Sequence, residues 1–302
     1  MNILLAVDNS PHSQVAVDVV LSRSWPDDTT FKVFCAVERR EPIFAVMQRD
    51  EAEAFLNKAL QAAKDFTAEI AEQLTERFPN CKAINEAKFG DSKENILEES
   101  AWADLIVVGS HGRHGVPRFF LGSVSQTILL YGQCSTLIAR YQQAHTGVAS
   151  FDNNILVAID DTVHSKDVFE WVMKLPWSDD ARFTLLTVVS MPDDVQVAGV
   201  DALYAQADSA EKKVLMESAT AMLEDCANRL EDKVGIGKVN IEIREGDPVD
   251  VILSFASSIP AGLIVMGSRL RGHLMRFFMG SVSQEVVLKA PCPVEVVKRV
   301  SI

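Results

Sequence analysis

The chain has 302 residues, 48% of them hydrophobic and 24% charged, with a formal net charge of −13. This is the composition of a globular protein with room for two ordinary cores, and its acidity argues against a phosphate-backbone partner, because nucleic-acid binders carry basic patches. No run approaches the roughly 18 apolar residues of a membrane helix, and the start reaches Asp8 too early for a signal peptide.

Taken in chain order, the first half alternates short β-rich runs with helical patterns. Strands are expected near 3–8, 31–37, 82–87, 105–109 and 136–141, and helices near 11–21, 50–77, 92–102 and 122–131. Ser10-Pro11 is a helix start, a cap donor followed by proline in the first turn. The long helix carries apolar spacing at Phe55, Leu56, Ala59, Ala63, Phe66, Ile70 and Leu74 and stops at Pro79.

The second half repeats the first. Asn2 to Ser10 matches Asn154 to Thr162, and Phe31 to Val37 matches Phe183 to Val189, both 152 positions on. Gly90-Asp91 matches Gly246-Asp247. Residues 118–126 and 276–284 are identical at eight of nine positions, 158 apart. The counterpart of the long helix is expected near 201–232, with Val214, Leu215, Met222, Leu223 and Leu230 turned inward.

Two homologous domains follow, 1–143 and 152–302. Each is expected to be α/β, a doubly wound parallel five-stranded sheet with helices on both faces. The apolar last strands, 136–139 and 293–297, are candidates for joining the domains as a pseudo-two-fold pair, because unpaired strand edges favour pairing.

The chemistry is expected at the carboxyl ends of the strands, where such sheets bind ligands. Asp8 ends the first strand, Val37 the second and Gly109 the fourth. The fourth continues as Gly109-Ser110-His111-Gly112, then nine residues, then Gly122-Ser123. Gly109 and Gly112 would let the backbone approach a ligand closely or adopt positive φ. After Gly122, the N–H groups of Ser123, Val124 and Ser125 can face a phosphate at a helix start, and the two serine hydroxyls add donors. His111 and Arg113 stand beside the glycines as candidate phosphate partners. His114 is expected to face solvent. Arg118 and Arg276 suit either a phosphate or an acid that braces the loop, and Phe119-Phe120 and Phe277-Phe278 suit hydrophobic anchors.

Neither familiar phosphate loop is present. Gly267 and Gly272 have Walker-like spacing, but His273 stands where the lysine would be, and no Gly-x-Gly-x-x-Gly precedes a helix. On spacing alone the loop could equally be a tight strand-to-helix connection. The five cysteines form no Cys-x-x-Cys pair and are read as reduced thiols of a cytoplasmic protein. Cys134 and Cys292, equivalent in the two copies, are read as core residues. The histidines have no zinc-ligand spacing.

Gly109-x2-Gly112-x9-Gly122-Ser123, the opening strand Ile3 to Asp8, and the ending Cys134 to Ile138 (Pro291 to Glu295 in the second copy) resemble the universal stress protein family. The resemblance covers nearly the whole chain as a tandem pair. It implies flavodoxin-like, adenine nucleotide α-hydrolase-like (Rossmann-like) domains and nucleotide binding tied to stress response. By matching position it implies that Asp8 and Asn9 hold adenosine or ribose and that the Val37 backbone meets adenine. Gly109, Gly112, Gly122, Ser123, Val124 and Ser125 would then wrap ribose and phosphates, with His111 and Arg113 beside them as candidate phosphate partners. The second copy retains Asp160, Val189, Gly267, Gly280, Ser281, Val282 and Ser283, but Arg269 and Leu270 replace His111 and Gly112, so its motif is degenerate.

The expected ligand is therefore ATP, or AMP or ADP, with Mg2+ admitted beside it. The expected partners are the nucleotide and a protein reached through a nucleotide-ordered surface, with no nucleic acid and no membrane. Within one chain the domains would form a pseudo-dimer, and a further homodimer stays open. A slow ATPase and a nucleotide-free scaffold are the alternatives. The motif lacks a positioned general base and a Walker lysine, which favours a binding module over an enzyme.

Overall fold

The computed structural model describes residues 1–38, 49–111, 121–140, 151, 153–160, 163–189, 201–268 and 279–298; positions 49, 163, 164 and 201–211 enter through their backbone only. In the first half β1 (Asn2–Ala6), α1 (Pro11–Ser22), β2 (Thr30–Val37), α2 (Arg49–Arg77) and β3 (Lys82–Phe89) are followed by α3 (Ser92–Glu99), β4 (Leu105–Gly109), α4 (Ser123–Tyr131) and β5 (Ser135–Ala139). The second half repeats this order: β6 (Asn154–Ala158), α5 (Val163–Lys174), β7 (Arg182–Val189), α6 (Asp201–Val234), β8 (Val239–Glu245), α7 (Pro248–Ser258), β9 (Leu263–Gly267), α8 (Ser281–Lys289) and β10 (Val294–Val297).

The two expected five-stranded sheets are one ten-stranded sheet, ordered β3-β2-β1-β4-β5-β10-β9-β6-β7-β8. Neighbours within each half run parallel. At the seam β5 and β10 pair antiparallel, with Leu137 opposite Glu295. Leu137 also pairs with Val107, and Glu295 with Val265, so the seam brings two equivalent positions face to face. That geometry is an isologous pairing about a pseudo-two-fold axis.

Strand residues alternate between two apolar layers, which is why the strands read as continuous hydrophobic runs. Ile3, Leu5 and Val107 join one layer with α1, α2, α5 and α6. Leu4, Ala6 and Ile106 join the other with α3, α4, α7 and α8. Ser10 caps α1 through a reciprocal pair with Ser13, and Pro11 opens its first turn.

Several boundaries shift. β1 ends at Ala6, two residues short of Asp8, and α3 ends at Glu99 rather than 102. Val214 and Leu215, expected inward, are exposed (64% and 37%), whereas Leu223 and Leu230 are fully buried. The cause is length. A 34-residue helix spans about 51 Å, roughly twice a strand of 7 or 8 residues, and among its described side chains the buried ones begin at Ala219. Cys134 and Cys292 are buried in equivalent places, and burial pushes both thiols up to about 12, as inert core residues.

Candidate functional site

In the first half the strand order reverses between β1 and β4, and the carboxyl ends of these strands open into a cavity of about 910 Å3. Asp8, Asn9, Val37, Gly109, His111, Gly122, Ser123, Val124 and Ser125 all line it. Gly112 and Arg113, with His114, Arg118 and the Phe119-Phe120 pair, lie outside the described residues.

α4 begins at Gly122, which has no side chain to cap the helix and makes no side-chain cap bond. Helices α1, α3 and α7 are capped instead by Ser10, Asp91 and Asp247. The first turn of α4 thus offers the N–H groups of Ser123, Val124 and Ser125 at a positive helix end that lines the cavity. Gly122 has φ −62°, a value open to any residue, so glycine is used there for room and not for a left-handed turn.

Gly109 has a different reason from the one expected. A Cβ on it would stand 2.5 Å from the carbonyl oxygen of His12, so the missing side chain lets the first turn of α1 press against β4. Positive φ falls instead on Asn9, at 58°, in the turn after β1. Asparagine tolerates this conformation better than most side chains do.

Asp8 accepts a bond from the Ser10 N–H at 3.1 Å, and the cap of α1 is Ser10 rather than Asp8. The Val37 carbonyl accepts from Gly90 N–H at 3.2 Å and keeps a second lone pair. His111 is buried, with Nδ1 at 3.1 Å from the Ser110 hydroxyl and its ring 4.9 Å from that of His12. Burial lowers the pKa of His12, while Asp8 opposes the shift and Arg140 adds to it. The Ser125 hydroxyl does not face the cavity as a phosphate donor: it is 2% exposed and donates to the Ser110 carbonyl at 3.0 Å, tying the start of α4 to the end of β4. Its backbone N–H keeps the expected position.

Sequence reasoning missed one wall. Phe55, Ala59, Ala62, Ala63 and Phe66 of α2 face the cavity, with Lys93 and Ile96 from α3 opposite. The signal was present in the helical spacing of Phe55, Ala59, Ala63 and Phe66, which reads as ordinary core. Phe55 is nevertheless 48% exposed, so this part of the stripe is cavity lining.

In the second half Gly280 starts α8 with φ −64° and makes no side-chain cap bond. The Ser283 hydroxyl donates to the Gly280 carbonyl at 3.0 Å, and Val189 O accepts from Gly246 N. Asp160 differs from Asp8: its carboxylate accepts from the Ser165 hydroxyl at 2.6 Å. Gly267 ends β9. Ser281 and Val282 open α8 as Ser123 and Val124 open α4. Arg269, Leu270, Gly272 and His273, the divergent part of the motif, lie outside the described residues, with Arg276 and Phe277-Phe278.

Among the described residues no group of three or more His, Cys, Asp or Glu is placed to hold a metal, and no helix is long and apolar enough to cross a membrane.

Three kinds of comparison bear on this architecture. The universal stress protein family model matches residues 1–140 and again 153–298. A universal stress protein A-like protein of Arabidopsis thaliana is 30% identical over 142 residues, covering 46% of this chain and 80% of that protein. The stress response protein NhaX of Bacillus subtilis is 27% identical over 164 residues, covering 48% of this chain and 98% of that one. The crystal structure of a universal stress protein from Archaeoglobus fulgidus is similar in fold over 99% of this chain and 98% of that one, with a TM-score of 0.65 at 21% identity.

Proposed function

The chain belongs to the universal stress protein family, and from that premise we propose that it is a stress-response protein that binds an adenine nucleotide in the cavity of its first half. One observation carries the reading: nine residues from four separate chain segments line one cavity at the reversal of strand order, together with a helix start that lacks a side-chain cap. An uncapped start favours an anion, because the N–H groups and the helix dipole act on the same point.

In this reading the first turn of α4 and Ser123 receive phosphate, and Asp8 and Asn9 receive ribose or adenosine hydroxyls. The Val37 backbone meets the base, and the aromatic and alanine wall of α2 covers its apolar face. His111 and Arg113 are proposed to complete the phosphate side, and Gly112 to let the loop approach closely. The residues Asp160, Val189, Gly267, Gly280, Ser281, Val282 and Ser283 form a weaker second site. A magnesium ion would arrive bound to the nucleotide phosphates. Nucleotide occupancy is then the input that a protein partner reads.

Calorimetric titration of nucleotide-depleted protein with ATP, ADP and AMP tests the reading. About one tight adenine nucleotide per chain is expected. Absence of binding by all three would leave the cavity without this function. Phosphate release under single-turnover conditions separates a binding module from a slow ATPase.

A further inference from the structure

The seam between the two halves breaks its symmetry at a buried charge. Leu137 and Glu295 are equivalent positions that sit directly opposite each other, on the apolar side of the sheet that carries α1 and α5. A symmetric seam would place like beside like there. Instead a carboxylate stands against a leucine, fully buried.

The carboxylate is met from both halves. Arg23, at the end of α1, reaches Glu295 with a nitrogen–oxygen distance of 2.7 Å, and it is itself 1% exposed. The Trp171 indole N–H on α5 donates to the other oxygen at 2.5 Å. The Arg23 guanidinium lies over Trp25 of its own half at 4.8 Å and over Trp177 of the other half at 5.4 Å. These two tryptophans are equivalent in the repeat. The residues that hold the charge pair are not: Arg23 corresponds to Leu175 and Trp171 to Val19, each 152 positions apart.

A second pair of contacts crosses the seam without breaking its symmetry. Arg140 donates to Leu288 O at 3.2 Å and Ala290 O at 3.0 Å, closing the end of α8. Lys298, the equivalent cation, donates to Gly132 O at 2.8 Å, closing the end of α4. Both are cations on helix carbonyls, so these contacts would survive any pairing of the two halves.

We infer that Arg23 and Glu295 are a pairing code: they let the second domain join only a first domain, and they disfavour association of like domains. Two second domains at this seam would oppose two buried carboxylates, with Leu175 where each guanidinium is needed. Two first domains would bury two guanidiniums around a Leu137–Leu137 contact with no carboxylate. At this position each like pairing leaves uncompensated buried charge, whereas in the unlike pairing the guanidinium and the carboxylate compensate each other. Specificity built on penalising wrong partners needs only such an asymmetric charge. The partner this surface fits is therefore a first domain, and the inference stands whether or not the cavity binds a nucleotide.

The test uses the full chain with a protease site placed within residues 141–150. After cleavage the halves are separated in urea, refolded together by dilution and weighed by native mass spectrometry. Wild-type halves are expected to return as one-to-one unlike pairs only. Halves carrying Arg23→Leu and Glu295→Leu together are expected to yield a measurable share of like pairs, at least tenfold above wild type. Like pairs from the wild type, or strictly unlike pairs from the double variant, would overturn the inference. A second measurement covers poor reassembly: in the uncut chain each single Leu variant should lower the thermal midpoint, and the double variant should recover most of the loss. Additive losses in the double variant would show that the two charges are not coupled, and the inference would fail.

Discussion

At the start of α4 Gly122 has φ −62° and ψ 154°, and at the start of α8 Gly280 has φ −64° and ψ 147°; neither makes a side-chain cap bond. The backbone geometry of a glycine-led helix start without a side-chain cap is thus kept in both halves. The turns that face it are wired differently. In the first half the Ser13 hydroxyl is spent on Ser10, exchanging bonds with its backbone N–H and carbonyl. In the second half the equivalent Ser165 hydroxyl binds the Asp160 carboxylate and its own backbone N–H. One repeated serine serves a helix cap in one copy and occupies one oxygen of a candidate ligand group in the other. Duplication preserved the frame while the side chains diverged, so a retained motif is weaker evidence for a second site than for a second fold.

The sharpest way to break this comparison is stoichiometry. One tight adenine nucleotide per chain is expected in the wild type, and none in Gly112→Leu, which gives the first copy the residue found at Leu270. Two equally tight sites in the wild type, counted by calorimetry, would make the two halves functional equals.

Gly122→Val against Gly280→Val is the next contrast. The backbone angles suit valine at both positions, so the first change acts by crowding the phosphate position. A loss of about tenfold in affinity is expected, or roughly 1.4 kcal/mol, with a cost near 1 kcal/mol in fold stability from the altered N-cap. Gly280→Val should leave affinity unchanged. Equal losses in the two variants would assign binding to both copies.

The fold was legible because β4 and β9, and β1 and β6 after their leading asparagines, are short apolar runs that suit a buried parallel sheet, and because Ser10-Pro11, Asp91 and Asp247 are strong local helix starts. The merging of two sheets into one was harder to read, since strand edges advertise pairing but not its register. At the cavity, Asp8, Val37 and Gly122 announced themselves through strand-end position and spacing. The α2 wall did not, because an apolar stripe has the same pattern whether it faces a sheet or a ligand. The role of Gly109 was hidden for a related reason: sequence shows that a Cβ is absent, but not that the His12 carbonyl occupies its place.

The equivalent cations Arg140 and Lys298 give the third contrast. Burial pushes Lys298 down to about 8 from its ordinary 10.5, although Cys134 pulls the other way. Between those pH values the unfolded chain holds a proton that the folded chain has released, so this residue makes stability rise with pH across that window, by about 1.4 kcal/mol per unit at most. Cys134 and Cys292, raised to about 12 from 9.0, act in the opposite direction above pH 9 because the folded thiols keep their protons. Lys298 is coupled to Cys134 and Arg140 to Cys292, so the variants are compared in a Cys134→Ala, Cys292→Ala background. The difference in urea midpoint between Lys298→Met and that background should change steadily from pH 8 to 10, and Arg140→Met should show no such trend. Burial lowers the pKa of that guanidinium too, but arginine starts from a value high enough to remain charged throughout this range.

The smallest effect tests the rewired serine. Ser13→Ala removes one of the two acceptors of the Ser10 N–H, leaving the Asp8 carboxylate, and deletes the reciprocal half of the cap, so the first turn of α1 should lose about 0.5–1 kcal/mol, and amide exchange there should speed up by roughly threefold. Ser165→Ala has two consequences in the second half. It withdraws the hydroxyl from Asp160 and leaves that residue's N–H without its 2.7 Å acceptor, in a part-buried turn. The stability cost should be of the same order, but the ligand-facing consequence differs. If the Ser165 bond is what silences Asp160, then Ser165→Ala combined with Leu270→Gly should bind adenine nucleotide more tightly than Leu270→Gly alone. If the two behave alike, the carboxylate wiring is irrelevant to the second site, and the difference between the halves comes down to the loop residue Leu270.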